Sequence, residues 1–274
     1  MTSGNQAFPG LKEVVDSVSG AQLMANTAGV ARWVRLSGTP EEREAVDYLR
    51  GLLDSYGYKT EIIEHAALIS LPGAASASVE ASQGQENEDL GPCQTHCFAV
   101  STSKGGVVGE LVDLGEGAAD DYARAQVRGK IVLLNGLASG DRNTRAEEAG
   151  AIAQVYIQDD YIRMMPVSPL WGAPTPETKH LIPTTPSVSL TQTAGKRVRA
   201  LLAQGPVKVR LQAEVDTGWR KIPELVGEIA APNDGGQYVL LTNHQDSWYF
   251  GAMDNGSANA TALEVARLMA QNVG

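Results

Sequence analysis

The sequence predicts an α/β protein whose sheet is interrupted by an inserted mixed α+β block. Three observations lead there: an amphipathic helix followed by an alternating strand over residues 39–64, a strand-helix-strand run over 106–157, and a return to strands after Trp219 that leads into a loop holding one histidine and two aspartates. The 274 residues, 43% apolar and 20% charged, suit one large domain or two ordinary ones and carry no signature of disorder.

Thr39-Pro40-Glu41-Glu42 announces the first element. Thr39 can accept from first-turn amides, Pro40 suits the first helical position and Glu42 completes a capping box, so a helix runs on to Tyr56. Ala45, Leu49, Leu52 and Leu53 share one face, and Gly57 offers a left-handed stop. Residues 59–64 alternate polar and apolar side chains, which predicts a strand. Pro72-Gly73 reads as a breaker opening a stretch rich in Ala, Ser, Gly, Gln and Glu that runs to about Asp89. Residues 106–113 and 129–134 read as strands, 145–150 as a short helix and 151–157 as a further strand. A Pro-rich loop over 165–185 precedes Pro186-Ser187-Val188-Ser189-Leu190, a helix around 194–203 and an alternating strand at 207–211. Beyond Trp219, 225–230 and 238–242 read as strands joined by a turn at 232–236, the second buried because it is apolar along its length. From Ser257 a helix follows, with Ala262, Val265, Ala266 and Met269 as its packed face.

A formal charge of -10 with scattered Lys and Arg disfavours a phosphate-neutralising surface, so nucleic acid is not an expected partner. No apolar run is long enough to span a bilayer, and residues 1–6 lack both the basic and the apolar region of a secretory signal. The expected location is the cytoplasm, or a secreted or periplasmic one if the amino terminus is processed; no membrane partner is expected. Cys93-Gln94-Thr95-His96-Cys97 groups two thiols and an imidazole, yet a structural zinc needs four ligands and no second Cys or His cluster lies nearby. Two reduced thiols in a loop, or a local disulfide, are the other readings. The sequon-like Asn255-Gly256-Ser257 and Asn259-Ala260-Thr261 have no meaning without a secretory route.

The segment that decides the reading follows the strand at 238–242: Asn243-His244-Gln245-Asp246-Ser247-Trp248-Tyr249-Phe250-Gly251-Ala252-Met253-Asp254-Asn255-Gly256-Ser257. Ligand sites of open α/β sheets lie beyond the carboxyl ends of strands. His244 can offer a neutral ring nitrogen to a metal while Asp246 accepts from the other nitrogen and fixes the tautomer. Asp254 has the chemistry of a carboxylate that bridges two cations, and it sits where a Gly-containing loop meets a helix start. Taken alone, one His and two Asp in a loop also serve as caps and turn formers.

This wording resembles the first metal-binding motif of the zinc-dependent exopeptidase family that includes aminopeptidase Y and glutamate carboxypeptidase. There a strand delivers His-x-Asp-Ser-Trp, and an Asp follows before Ser and a helix; Glu264-Val265-Ala266-Arg267 also matches that helix. The block Val127-Arg128-Gly129-Lys130-Ile131-Val132-Leu133, Glu148-Ala149-Gly150-Ala151 and Ile182-Pro183-Thr184-Thr185-Pro186-Ser187-Val188 resembles a protease-associated domain. The fold so implied is an α/β, incomplete phosphorylase/hydrolase-like zinc-peptidase sheet with an inserted mixed α+β protease-associated domain. Its expected parts are a first peptidase segment over 1–72, the insert over 73–216 and a second, truncated peptidase segment over 217–274.

Carried over residue by residue, the resemblance makes His244 and Asp254 metal ligands, Asp254 bridging two zinc ions, with Asp246 as the catalytic-site residue that orients His244. The implied reaction is attack on a peptide carbonyl by water held between two metals, with a peptide as substrate and a homodimer as the other partner admitted. It also needs a Glu base, a Glu ligand, a further Asp and a final His, which do not follow Gly274; Glu224 and Glu228 do not match them. The expectation is a chain inactive by itself. Three readings stay open: part of an active zinc exopeptidase, a non-catalytic receptor-like relative, or a short binding protein built on its insert. Arg142, Asn143 and Arg145 either meet a substrate carboxylate or form a solvated loop.

Overall fold

A computed structural model describes residues 10–81, 86–231 and 235–272. Residues 1–6, part of the Ala/Ser/Gly/Gln/Glu-rich stretch (82–85), the first three residues of the expected 232–236 turn and the last two of the chain lie outside them. The chain divides into two compact units, Met1–Ala66 with Lys221–Gly274, and Ala67–Arg220.

In the first unit, helices α1 (Leu11–Asp16), α2 (Gly20–Val30) and α3 (Pro40–Ser55) come before strand β1 (Lys59–Val79). Thr39 caps α3 by accepting from the Glu42 amide, and Gly57 takes the left-handed stop at φ 88°. The capping box differs from expectation in one partner: the Glu42 carboxylate accepts from the Gly38 amide at 2.7 Å, one residue further back than Thr39. Thr39 N is already bound to the Leu36 carbonyl, which leaves Gly38 as the open donor. Helix α7 (Ser257–Asn272) completes a small core of Val30, Leu49 and Leu263.

Its packed face is Ala260, Leu263, Glu264 and Leu268 rather than the expected Ala262, Val265, Ala266 and Met269; Met269 is 48% exposed. The rotation follows from Glu264, whose buried carboxylate accepts from the Ser19 amide at 2.7 Å and from Arg267 at 2.6 Å, fastening that stripe to the start of α2. A second correction concerns residues 238–242, expected as a buried strand. Tyr238, Val239 and Leu240 are 86%, 83% and 72% exposed, and no strand among the described residues pairs with them. An apolar run of this kind is buried only where strands flank it, and the described residues supply none.

The second unit is an eight-stranded sheet built with β2 (Glu88–Asp89), β3 (Cys93–Thr95), β4 (Val107–Asp113), β5 (Ile131–Asn135), β6 (Ala153–Ile157), β7 (Ser187–Leu190) and β8 (Lys208–Glu228). The order is β2-β1-β8-β4-β5-β6-β7-β3; β4 to β7 run parallel, and β8 and β3 are antiparallel to their neighbours β4 and β7. Helices α4 (Ala119–Arg124), α5 (Gly140–Glu148) and α6 (Gln192–Leu202) connect them. Strand alternation sorts the core into two faces: Ile131, Leu133 and Val155 pack with Val198 of α6, whereas Val132, Leu134 and Tyr156 pack with Ala146 of α5. Gly195 is required because a Cβ there would enter Ile157, so α6 lies close on β6.

Pro72-Gly73 does not break the chain; β1 runs through both. Since β2 pairs only Ser78 and Val79, most of β1 is an edge on that side, where the missing proline donor costs no ladder bond. The strands expected at 207–211 and 225–230 are likewise parts of one element, β8.

Candidate metal centre

Residues 243–257 are held by main-chain contacts rather than by a sheet. Ser247 N donates to the Arg35 carbonyl at 2.8 Å, Ser247 Oγ donates to the Tyr249 carbonyl at 3.0 Å, and Gly256 N closes a loop onto the Gly251 carbonyl at 2.9 Å. Tyr249 and Gly251 both take positive φ, 57° and 49°. That conformation costs a tyrosine and suits a glycine. The Asp254-Asn255 peptide is cis.

This course brings the three expected residues together. His244 Nε2 stands 3.3 Å from Asp254 Oδ1. On the other side of the ring, Nδ1 lies 3.1 Å from Asp246 Oδ1 and 3.2 Å from the Asp246 carbonyl, so both acceptors call for the proton on Nδ1 and leave the Nε2 lone pair facing Asp254. Asp246 is itself held, since Ser37 Oγ donates to its Oδ2 at 3.1 Å. His244 and Asp254 are exposed, at 51% and 74% of their side chains, which keeps the pair open to a ligand.

Three residues of this centre left no readable mark in the sequence. Arg35, fully buried, sends its guanidinium onto the motif loop. Ser37 orients Asp246. Asn259, read only as part of a sequon, is buried and donates to the His244 carbonyl at 3.0 Å and the Asn255 carbonyl at 2.9 Å. Burial pushes the Arg35 guanidinium below its usual range, and the charges of Asp246 and Asp254 pull it back up. No local pattern signals such residues, because each takes its meaning from a partner outside its own stretch of sequence: Arg35 and Ser37 reach the loop some 210 residues on, and Asn259 reaches back to His244.

Glu42 feels the charge of the same segment. Burial raises its carboxyl to about 7; the Gly38 amide pulls against that rise and the Asp246 charge adds to it. The native state therefore keeps a proton that the unfolded chain releases at about 4.5, so stability declines as pH rises from about 4.5 to about 7 and is level above. Glu42→Gln is expected to remove this decline, gaining on the order of 2–3 kcal/mol over the unmodified chain between pH 5 and pH 8. Denaturant melts of both proteins at the two pH values check it; parallel pH dependences would refute the assignment.

The remaining sequence candidates fall elsewhere. His96 is fully buried, with Nε2 2.9 Å from Ser189 Oγ and Nδ1 accepting from the Met165 amide at 3.3 Å, so neither nitrogen is left for a metal. Cys93 and Cys97 are free thiols that burial pushes up to about 12. Arg142, Asn143 and Arg145 do not form a solvated loop: they lie on α5, Asn143 is buried, and the arginines donate to the Leu137, Glu116 and Gly117 carbonyls. Glu224 is bound to His65 at 2.6 Å. Among the described residues no group of three or more His, Cys, Asp or Glu side chains could hold a metal, and no helix is long and apolar enough to cross a membrane.

Residues 224–273 match the model of Peptidase family M28. A probable glutamate carboxypeptidase of Zea mays is 26% identical over 90% of this chain and 42% of its own length, and one of Arabidopsis thaliana is 26% identical over 93% and 44%. The chain thus spans less than half the length of these curated relatives. Among solved structures, a peptidase M28 precursor from Shewanella amazonensis superposes with a TM-score of 0.71 at 17% identity, covering 94% of this chain and 62% of that one. A zinc aminopeptidase from Bacillus subtilis gives 0.66 at 19%, covering 91% and 56%. The mixed α/β fold is that of these solved peptidases.

Proposed function

We propose that this chain carries part of the two-zinc centre of a metallo-exopeptidase that removes terminal residues from peptides. One observation carries the reading: His244 Nε2 and Asp254 Oδ1 face each other at 3.3 Å while Asp246 occupies the other ring nitrogen. An imidazole and a carboxylate so placed suit zinc, whose ligands are drawn from these groups. His244 and Asp254 would hold it. When bound, zinc supplies Lewis-acid polarisation of the scissile carbonyl and a lowered pKa for water. Asp246 keeps the His244 proton on Nδ1, Ser37 keeps Asp246 in place, and Asn259 ties the His244 carbonyl to the start of α7.

Catalytic zinc sites take three protein ligands, and this one has two among the described residues. By itself, therefore, the chain binds zinc weakly and turns over no peptide. The second unit is read as a protease-associated domain that contacts substrate or partner, which rests on its sequence words alone. Zinc binding measured by equilibrium dialysis tests the centre: His244→Ala and Asp254→Ala should each weaken it by about tenfold or more. Binding indifferent to both changes would sink the reading, and so would robust zinc-dependent peptide hydrolysis that survives Asp254→Ala.

A further inference from the structure

Arg35, in the segment between α2 and α3, makes five hydrogen bonds with its guanidinium, all to main-chain carbonyls. Nη1 donates to Val30 at 2.8 Å and to Trp33 at 3.1 Å, which anchors the fork at its own end. The other three reach the motif loop: Nε to Gln245 at 2.9 Å, Nη1 to Phe250 at 3.0 Å and Nη2 to Gly251 at 3.1 Å. Gln245 lies between His244 and Asp246 in sequence. The Gly251 carbonyl also accepts from Gly256 N, which closes the turn that displays Asp254. One rigid, planar group thus holds the loop beside each of the two ligands. A stiff fork of this kind transmits position in a way the point charge of a lysine does not.

We infer that Arg35 is a positioning residue of the metal centre: through the carbonyls of Gln245, Phe250 and Gly251 it sets where His244 and Asp254 stand relative to each other. The inference rests on the zinc-exopeptidase reading for its purpose, and on the hydrogen bonds alone for its mechanics. Burial of Arg35 by itself would make it a fold residue; what marks it out is that three of its five bonds end on the ligand-bearing loop, more than 200 residues away.

The test uses cobalt(II) as the metal probe on the full chain, Arg35→Lys and Arg35→Ala, with amide exchange followed at Ser247 and Gly256. Arg35→Lys should leave the melt of the second unit unchanged, weaken cobalt binding about 10- to 100-fold and alter its visible band. Methylguanidinium added to Arg35→Ala should restore affinity and band, and exchange at Ser247 and Gly256 should rise in both variants. Native affinity and band in Arg35→Lys, with native exchange, would overturn the inference; so would loss of all structure in both variants, which makes Arg35 a fold residue. If the unmodified chain binds no cobalt, the metal reading fails, and the exchange rates alone decide whether Arg35 orders the loop.

Discussion

Gly251→Ala is expected to abolish metal binding and to cost about 2–4 kcal/mol in the first unit. Two independent effects act on one methyl group. The residue sits at φ 49°, which a side chain tolerates poorly, and a Cβ there would run into the Asp254 carbonyl oxygen and Ser247 Cβ. The first neighbour is main chain and cannot swing aside. It also belongs to the ligand, so relief of the clash displaces Asp254 from His244. Melts and cobalt titration of the variant check both parts. A Gly251→Ala protein that melts and binds as the unmodified chain would show that the 251–256 turn is not what presents Asp254.

Acid is expected to weaken the second unit through one side chain. His96 is fully buried, and burial lowers its pKa to about 3 from 6.5. Its hydrogen bonds point the same way. Nδ1 accepts from the Met165 amide, so the single proton sits on Nε2 and donates to Ser189 Oγ, which also accepts from Gln158 Nε2. A second proton on Nδ1 would confront an amide hydrogen. Because the unfolded chain gains that proton at 6.5 and the native state does not until about 3, stability is full above 6.5 and is lost progressively between the two values. The loss amounts to about 4–5 kcal/mol by pH 3. Amide exchange in β5 and β6 across this range, for the unmodified chain and His96→Gln, isolates the contribution. An equal decline in both would place the acid sensitivity in other groups.

These two pH responses oppose each other because burial acts oppositely on an acid and a base. Neither was visible in the sequence, where Glu42 read as half of a capping box and His96 as a weak metal candidate. What could be read in advance was local. The cap and stop of α3, the apolar runs of β5 and β6, and the loop of His244, Asp246 and Asp254 all declare themselves within a few neighbouring residues. What could not be read depends on partners distant in sequence. The face of α7 is chosen by the Ser19 amide, and alanines on several sides of that helix make its periodicity ambiguous. The exposure of 238–242 follows from the lack of flanking strands among the described residues, which an apolar run cannot reveal about itself. Arg35 is one of two nearby arginines in sequence and a clamp only in three dimensions.

The first unit is made of two stretches of chain with all of residues 67–220 between them, whereas the second unit is continuous. That discontinuity has a kinetic consequence. As the polypeptide leaves the ribosome, Arg35 and Ser37 emerge long before His244 and Asp254, and they can meet only by closing a very long loop. If the continuous unit folds first, pairing β1 with β8, it shortens that closure to little more than the residues flanking Ala66 and Lys221. The middle unit would then act as an intramolecular template whose stability sets how fast the metal-binding loop is assembled, and slow maturation would be the first symptom of damage to it.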